Sequence, residues 1–250
     1  SWQCTSYNDF YLAILQTGAP GLPADKNITF DANVCQSSGG CSSPFATQST
    51  MNIVGATGSH RVTANTIINS GGGICLQLDN ITSQAADRTR VVNNMLVHTA
   101  IGQATVATPC DLRYCNYVDV YHNSMITSGA RSDVTFTMGA NLRVKGNIFA
   151  TTTGAALNVQ GTTALTCDYN MYKVAGGYVA LVGTIYRTLG MWQAVGGQDL
   201  NGLQADPLFV STTDLHLTNA SPAQNRVPLN FNVNEDIDGG GRPMPINTLA

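Results

Sequence analysis

Glutamate is almost missing: Glu235 stands alone beside 14 Asp, and only 11% of the 250 residues are charged, against the usual quarter or so. Long solvent-washed helices are thereby excluded, because their wet faces draw on Glu, Lys, Arg and Gln. Cationic runs are lacking too. With 12 Lys and Arg against 15 acids, a formal charge of −3 and a pI near 5.7, the chain has no electrostatic footprint for nucleic acid or for an anionic membrane surface. Apolar runs are short: Tyr11 to Leu15 and Tyr178 to Val182 fall far below the roughly 20 residues that span a bilayer. Neither a nucleic-acid partner nor membrane insertion is expected. The chain starts at Ser1 with neither Met nor a basic and apolar leader, which is what a processed or excised chain would show.

What abounds is Thr (28), Gly (25) and Asn (22), residues of strands and turns, so the chain reads as all-β. Seven cysteines fall at 4, 35, 41, 75, 110, 115 and 167. The pairs Cys35/Cys41 and Cys110/Cys115 each bracket a short polar segment, and as disulfides each would clip a small excursion, implying an oxidising compartment. A zinc site would need paired CxxC-type spacing with His support, whereas His60, His98, His122 and His216 are scattered. Cys167 reads as a buried thiol, and Cys4 and Cys75 remain as a further candidate pair, with Cys75 on the outward parity between Ile74 and Leu76.

One pattern recurs six times: apolar, any, apolar, any, any, Asn, then more apolar residues. The copies are ITFDAN, HRVTAN, TRVVNN, VDVYHN, LRVKGN and LTCDYN, ending at Asn33, Asn65, Asn94, Asn123, Asn147 and Asn170, in steps of 32, 29, 29, 24 and 23 residues. Within each unit the residues alternate and then reach a Gly-rich or polar turn, which is strand periodicity and excludes a helical repeat. The units are the coils of a right-handed parallel β-helix of about six turns, stacked about 4.8 Å apart. Phe30, Val62, Val91, Val120, Val144 and Cys167 form one inward column; Ile28, His60, Thr89, Val118, Leu142 and Leu165 share its face, where His60 is a core or cap residue. A second strand per coil is expected at 73–78, 105–108, 134–138, 155–159 and 178–182. The repeated Asn tolerates left-handed turn geometry, and its amide can bond the next coil's amide, so Asn33 through Asn170 form a structural ladder. Residues 1–26 are a cap or entering segment, 27–184 the coils, and 185–250 an irregular closing segment in which 188–194 makes a helical turn with Trp192 on the last coil.

Together with GMWQAVGGQDLNGLQADPLF, DLHLTNASPAQN and DIDGGGRP, the coils from about residue 50 onward resemble the C-terminal half of secreted bacterial right-handed parallel β-helix repeat proteins, in the broad pectate-lyase-like superfamily. The end departs from that pattern, with INTLA where acidic closing residues would stand, and early coils are few; both point to a truncated or specialised module. The resemblance implies an extracellular or cell-surface location and a glycan laid along an outward strand face. Fold does not fix chemistry, and the same coils serve lyases, hydrolases and fibres.

Outward columns give the candidate site. Arg90, Asp119, Tyr121 and Asp168 would bind an acidic polysaccharide or cell-surface glycan, and Arg143 and Lys145 lie between them. Eliminative cleavage of a uronide needs a base at C5 and cations on the adjacent carboxylate, so Lys145 or Arg143 would abstract, with Asp119 and Asp168 holding calcium. Hydrolysis would need two spaced carboxylates, for which Asp119 and Asp168 are two coils apart. The competing readings are a charge ladder in which Arg90 and Arg143 flank Asp119, and a non-catalytic fibre or adhesive module, whose coils leave self-association open. Asp236 and Asp238 begin like a calcium loop but lack the distal Glu, and read as a turn.

Overall fold

The computed structural model describes residues 3–6, 12–14, 27–37, 49–70, 73–99, 108–128, 134–195, 197–228 and 231–242, with 3–6, 12–14 and Ser37 described as backbone only. These residues form a β-solenoid in which each coil lays down three short strands, and the copies stack into three sheets. The pre-Asn sheet holds Thr29–Asp31, Arg61–Thr63, Thr89–Val92, Val118–Tyr121, Arg143–Lys145 and Thr166–Asp168, all in parallel register. Immediately after each Asn comes a strand of the post-Asn sheet: Val34–Ser37, Thr66–Asn69, Met95–His98, Ser124–Thr127, Ile148–Thr151 and Met171–Val174, with Gln3–Ser6 and Leu203–Gln204 at its ends. The return sheet stacks Leu12–Ile14, Ser49–Val54, Ile74–Asp79, Thr108–Arg113, Val134–Thr137, Ala155–Gln160 and Tyr178–Val182. Six strands in the pre-Asn sheet give five coil-to-coil steps, about one turn fewer than the repeats suggest.

Alternation fills the interior. The predicted column Phe30, Val62, Val91, Val120, Val144, Cys167 is in continuous register and buried throughout. Two more columns face it: Ile67, Leu96, Met125, Phe149 and Tyr172 from the post-Asn sheet, and Ile53, Leu78, Leu112, Phe136 and Val159 from the return sheet. Each such side chain contributes about 1.5–3 kcal/mol of burial, which a two-strand coil would not accumulate. His60 is fully buried in the core, its Nδ1 accepting from the Ile28 amide at 3.1 Å.

At the corner between pre- and post-Asn strands, the left-handed residue is the one before the Asn: Ala32, Ala64, Asn93, His122, Gly146 and Tyr169 all have φ between 52° and 65°. This corrects the expectation that the Asn itself takes that geometry. From Asn65 to Asn170 the ladder Asn is instead buried, and its Oδ1 accepts from the preceding ladder residue. Asn33 donates both N–H and Nδ2 to Asn65 Oδ1 (3.0 and 2.9 Å), and the same pair of bonds recurs from Asn65 to Asn94, Asn94 to Asn123, Asn123 to Asn147 and Asn147 to Asn170. Asn170 passes its pair to Asp199 Oδ1 (3.1 and 2.8 Å), whose Oδ2 accepts from Tyr172 Oη (2.5 Å) and Trp192 Nε1 (3.1 Å). The ladder thus ends on a buried carboxylate in the closing segment.

That segment includes the helix Leu189–Gln193, capped by Thr188, with Trp192 buried on the last coil. Thr184–Tyr186 folds back antiparallel on Tyr178–Val182, covering an otherwise open sheet edge. No helix among the described residues is long and apolar enough to cross a membrane.

Two cysteine expectations are corrected. Cys110 and Cys115 are free, buried thiols rather than a disulfide. Residues 110–113 belong to an extended core strand, which at about 3.3 Å per residue separates the two cysteines by more than the roughly 7 Å a disulfide tolerates. Cys115 Sγ instead donates to the carbonyls of Leu78 (3.3 Å) and Arg113 (3.1 Å), and burial pushes its thiol up to about 12. Cys75, assigned to the outward parity, is fully buried, and its thiol donates to the Val97 carbonyl at 3.4 Å. Of the strand expected at 105–108, Thr108 opens the strand Thr108–Arg113, while 105–107 and Cys41 lie outside the described residues, as does the side chain of Cys4. Cys167 is a buried free thiol in the core column.

Candidate functional site

Pre-Asn strands alternate, so the residues flanking each buried column residue point outward, and parallel register stacks them coil upon coil. Arg61, Arg90, Asp119, Arg143 and Thr166 form one row, and Thr63, Val92, Tyr121, Lys145 and Asp168 the other. Arg61 and Arg90 are direct neighbours across about 4.8 Å of backbone spacing, an unfavourable like-charge placement.

Above this face opens a cleft of about 420 Å³, walled by the loop 85–88 on one side and by Phe231 and Asn232 on the other. Among the described residues Arg61, Arg88, Arg90, Arg143 and Lys145 line it, against Asp87 and Asp119. Five of the chain's 12 cations therefore meet on one cleft of a protein whose formal charge is −3. Low-dielectric walls of one sign focus the field and raise the local concentration of an anionic ligand.

Asp119 is answered by Arg88, not by its row neighbours Arg90 and Arg143. Arg88 Nε donates to Asp119 Oδ1 at 2.5 Å, while its Nη2 donates to the carbonyls of Val118 (3.2 Å) and Asn141 (2.5 Å), and its guanidinium lies 5.5 Å above the Tyr117 ring. Both members of the pair are about nine-tenths buried. Asp168 is spent on the closing segment: its Oδ1 accepts from the amides of Tyr169 (2.9 Å) and Asn201 (3.0 Å), and both carboxylate oxygens take Asn201 Nδ2. Asp119 and Asp168 thus stand two coils apart and in different rows, farther at the backbone than the roughly 9.6 Å of two coil steps, with the Arg143–Lys145 strand between them. They do not fit as a calcium pair. Among the described residues no group of three or more His, Cys, Asp and Glu gathers into a cation site, and Asp236 closes a turn by accepting from the amides of Asp238 and Gly240.

Tyr121 is also occupied. Residues 231–242 cross the face, and the Phe231 ring lies 5.4 Å from Tyr121, with Lys145 Nζ 5.3 Å above it. Val92, Tyr121 and Val233 form a small apolar cluster under this crossing, so Tyr121 is only 5% exposed. Burial, with Asp119 nearby, pushes its hydroxyl up to about 12 against the pull of Arg143. Arg90 donates from Nη2 to the carbonyls of Phe231 (3.0 Å) and Asn232 (3.1 Å). Arg61 and Arg143 are the exposed cations of the cleft.

No protein-family model matches the chain, and neither a curated protein nor a solved structure gives a match.

Arg88 and Phe231 were missed because neither sits in a repeat column: Arg88 lies at the corner before its strand and reaches across two coils, and Phe231 arrives from the far end of the chain. The alternation in the return strands was the available signal for a second polar strip. There Asn52, Gln77, Asp111, Thr135 and Asn158 share a register on the outer face. Asp111 pairs with Arg113 at 2.6 Å, and its Oδ1 has no partner among the described residues. Burial, with Asp79 nearby, raises its carboxyl above the usual range against Arg113.

Proposed function

We propose that this chain is an extracellular, pectate-lyase-like β-helix module that binds an acidic polysaccharide in the cationic cleft. The observation that carries the reading is the concentration of Arg61, Arg88, Arg90, Arg143 and Lys145 on one cleft of a net-acidic protein. Guanidinium forks match carboxylates bidentately, and a stacked-coil face offers them at a fixed repeat suited to an extended chain. Arg61 and Arg143 make the first contacts because they are exposed; Arg88 holds Asp119 in place, and Phe231, not Tyr121, presents the aromatic surface at the cleft wall. The extracellular placement follows from the partner and owes nothing to Cys110 and Cys115.

The test is binding to a panel of uronate-containing and neutral polysaccharides, with absorbance of unsaturated products followed in the same samples. Binding to acidic polymers alone, weakening with salt and reduced several-fold by Arg61→Ala or Arg143→Ala, is the expected result. Equal binding to neutral polymers, or none to any acidic one, overturns the reading. Product formation abolished by Lys145→Ala or Arg143→Ala would extend it from recognition to eliminative cleavage.

A further inference from the structure

Phe231 touches two groups of residues at once: Tyr121 and Lys145 of the cleft, and His122 and Tyr169, whose ring centroids each lie 6.0 Å from its own. His122 and Tyr169 belong to a second, smaller cavity of about 120 Å³, formed over the Asn corners and roofed by the closing segment. Arg226 and Arg242 reach it from the roof, Ser124 from the floor, and no carboxylate lines it among the described residues.

Most of the polar groups there lack a side-chain partner among the described residues. The His122 ring, the Ser124 and Tyr169 hydroxyls and the Arg226 guanidinium make no side-chain hydrogen bond among the described residues. Arg242 uses Nε on the Glu235 carbonyl (3.1 Å) and Nη2 on Asn93 Oδ1 (2.7 Å), which leaves its Nη1 free of a described partner; the charge of Asp236 acts on it against its burial. Two guanidiniums and three further hydrogen-bonding groups around a volume of about four waters are an unbalanced arrangement in a partly closed space. One small anion balances it.

We propose that this cavity is an oxyanion site, taking one carboxylate, sulfate or phosphate group between Arg226 and Arg242, with His122, Ser124 and Tyr169 donating hydrogen bonds. It stands apart from the cleft reading, since among the described residues the cavity and the cleft share no lining residue. The oxyanion is either a free inorganic ion or an acidic substituent of a larger ligand; the chemistry of capture is the same. His122 reports on it directly: burial, then the charges of Arg242 and Arg90, hold its imidazole down at about 3, and an anion beside it opposes the two cations.

The experiment is an NMR titration of the whole chain with sodium sulfate, and separately with a uronic acid monosaccharide and a short acidic oligosaccharide. The Cε1 proton of His122, assigned by its loss in His122→Gln, is followed at constant ionic strength set with sodium chloride. A saturable shift and an upward move of the His122 titration are expected. Affinity should fall at least tenfold in Arg226→Ala, recover in part in Arg226→Lys, and be unchanged in Arg61→Ala. Oligosaccharide binding tenfold tighter than sulfate identifies a substituent as the source, and equal affinity identifies a free ion; either supports the site. A shift that merely follows ionic strength, no saturable shift at all, or one that survives Arg226→Ala and vanishes in Arg61→Ala overturns it. Because Arg226 is exposed, its variants test the site without disturbing the core. Absence of polysaccharide binding by the intact protein, with sulfate still registering at His122, would overturn the cleft reading and leave this cavity standing.

Discussion

Removing one rung from the middle of the Asn ladder should cost far more than removing its first. In Asn123→Ala the Asn94 amide and Nδ2 lose their acceptor, and the carbonyls of Val91 and Tyr121 and the Asn147 Oδ1 lose a donor. Asn94 Nδ2 keeps the carbonyls of Val62 and Val92, and Asn147 Oδ1 keeps the backbone N–H of residue 123, so the Asn94 amide is the donor left bare. Asn94, Asn123 and Asn147 are each at most 1% exposed, so water cannot readily substitute. Counting about 1–3 kcal/mol for a buried unsatisfied donor, plus about 1 kcal/mol for each of the Val91 and Tyr121 carbonyls, gives a loss of about 3–5 kcal/mol. Among the described residues Asn33→Ala removes only the Nδ2 bond to Asn65, whose Oδ1 still accepts the backbone amide, at a net cost of about 0.5–1.5 kcal/mol. Urea denaturation followed by circular dichroism and by tryptophan fluorescence measures both, with coincidence of the two probes checking that the array unfolds as one unit. If Asn123→Ala costs no more than Asn33→Ala, the ladder is not a load carried by hydrogen bonds and the reasoning fails.

The four thiols of Cys75, Cys110, Cys115 and Cys167 should resist labelling in the native protein and react on denaturation, because burial raises all of them; prompt native labelling of Cys110 would contradict the core placement. In anion-free buffer His122 should stay neutral from pH 8 to pH 5. Its folded value is depressed to about 3 against 6.5 unfolded, so its contribution to stability is present above 6.5 and lost as pH falls toward 3, and an NMR midpoint above 6 would refute the burial argument. His216 behaves oppositely: Asp214 and Asp238 outweigh its burial and raise it, so its contribution is full below 6.5 and lost as pH rises through the folded value, and Asp238→Asn should lower that midpoint. Its exposure keeps the stability change small, so the NMR midpoint is the measurement that decides.

The inward column and the Asn ladder were legible because both repeat at every coil: a one-residue slip would turn Val62, Val91, Val120 and Val144 outward together, so register is strongly specified. Left-handed geometry escaped the reading, since it falls on the residue before each Asn, where Ala, Asn, His, Gly and Tyr occur with no shared chemistry. Cys110 and Cys115 were misread because their short spacing resembles a clipped loop, while the apolar alternation of Cys110 and Leu112 that marks a strand is only two residues deep. Individual site residues were legible as columns, but their partners were not. Whether Asp119 meets Arg90 or Arg88, and whether Tyr121 meets a sugar or Phe231, depends on corners and on a segment more than 100 residues away.

Stacking also explains why the cationic surface stays where it is. Hydrogen-bonded coils hold the Arg61 and Arg90 backbones about 4.8 Å apart, and no backbone movement can separate them without breaking the ladder. Relief must come from side chains. Arg88 takes up the only carboxylate of the row, Asp119, and the carbonyls of Phe231 and Asn232 serve Arg90, so each local answer neutralises or solvates one group and passes the excess outward. Arg61 and Arg143 are the two guanidiniums left exposed at the ends of that sequence of pairings, flanking Arg90 and Asp119 in the same row. An anionic chain spanning the cleft would engage both at once, which a monosaccharide cannot do. Affinity should therefore rise steeply with oligosaccharide length until both are bridged and then level off, and the double variant Arg61→Ala/Arg143→Ala should remove the length dependence along with the binding. A flat dependence of affinity on length, in the intact protein, would mean that the two arginines act separately and that the cleft is not a track for an extended chain.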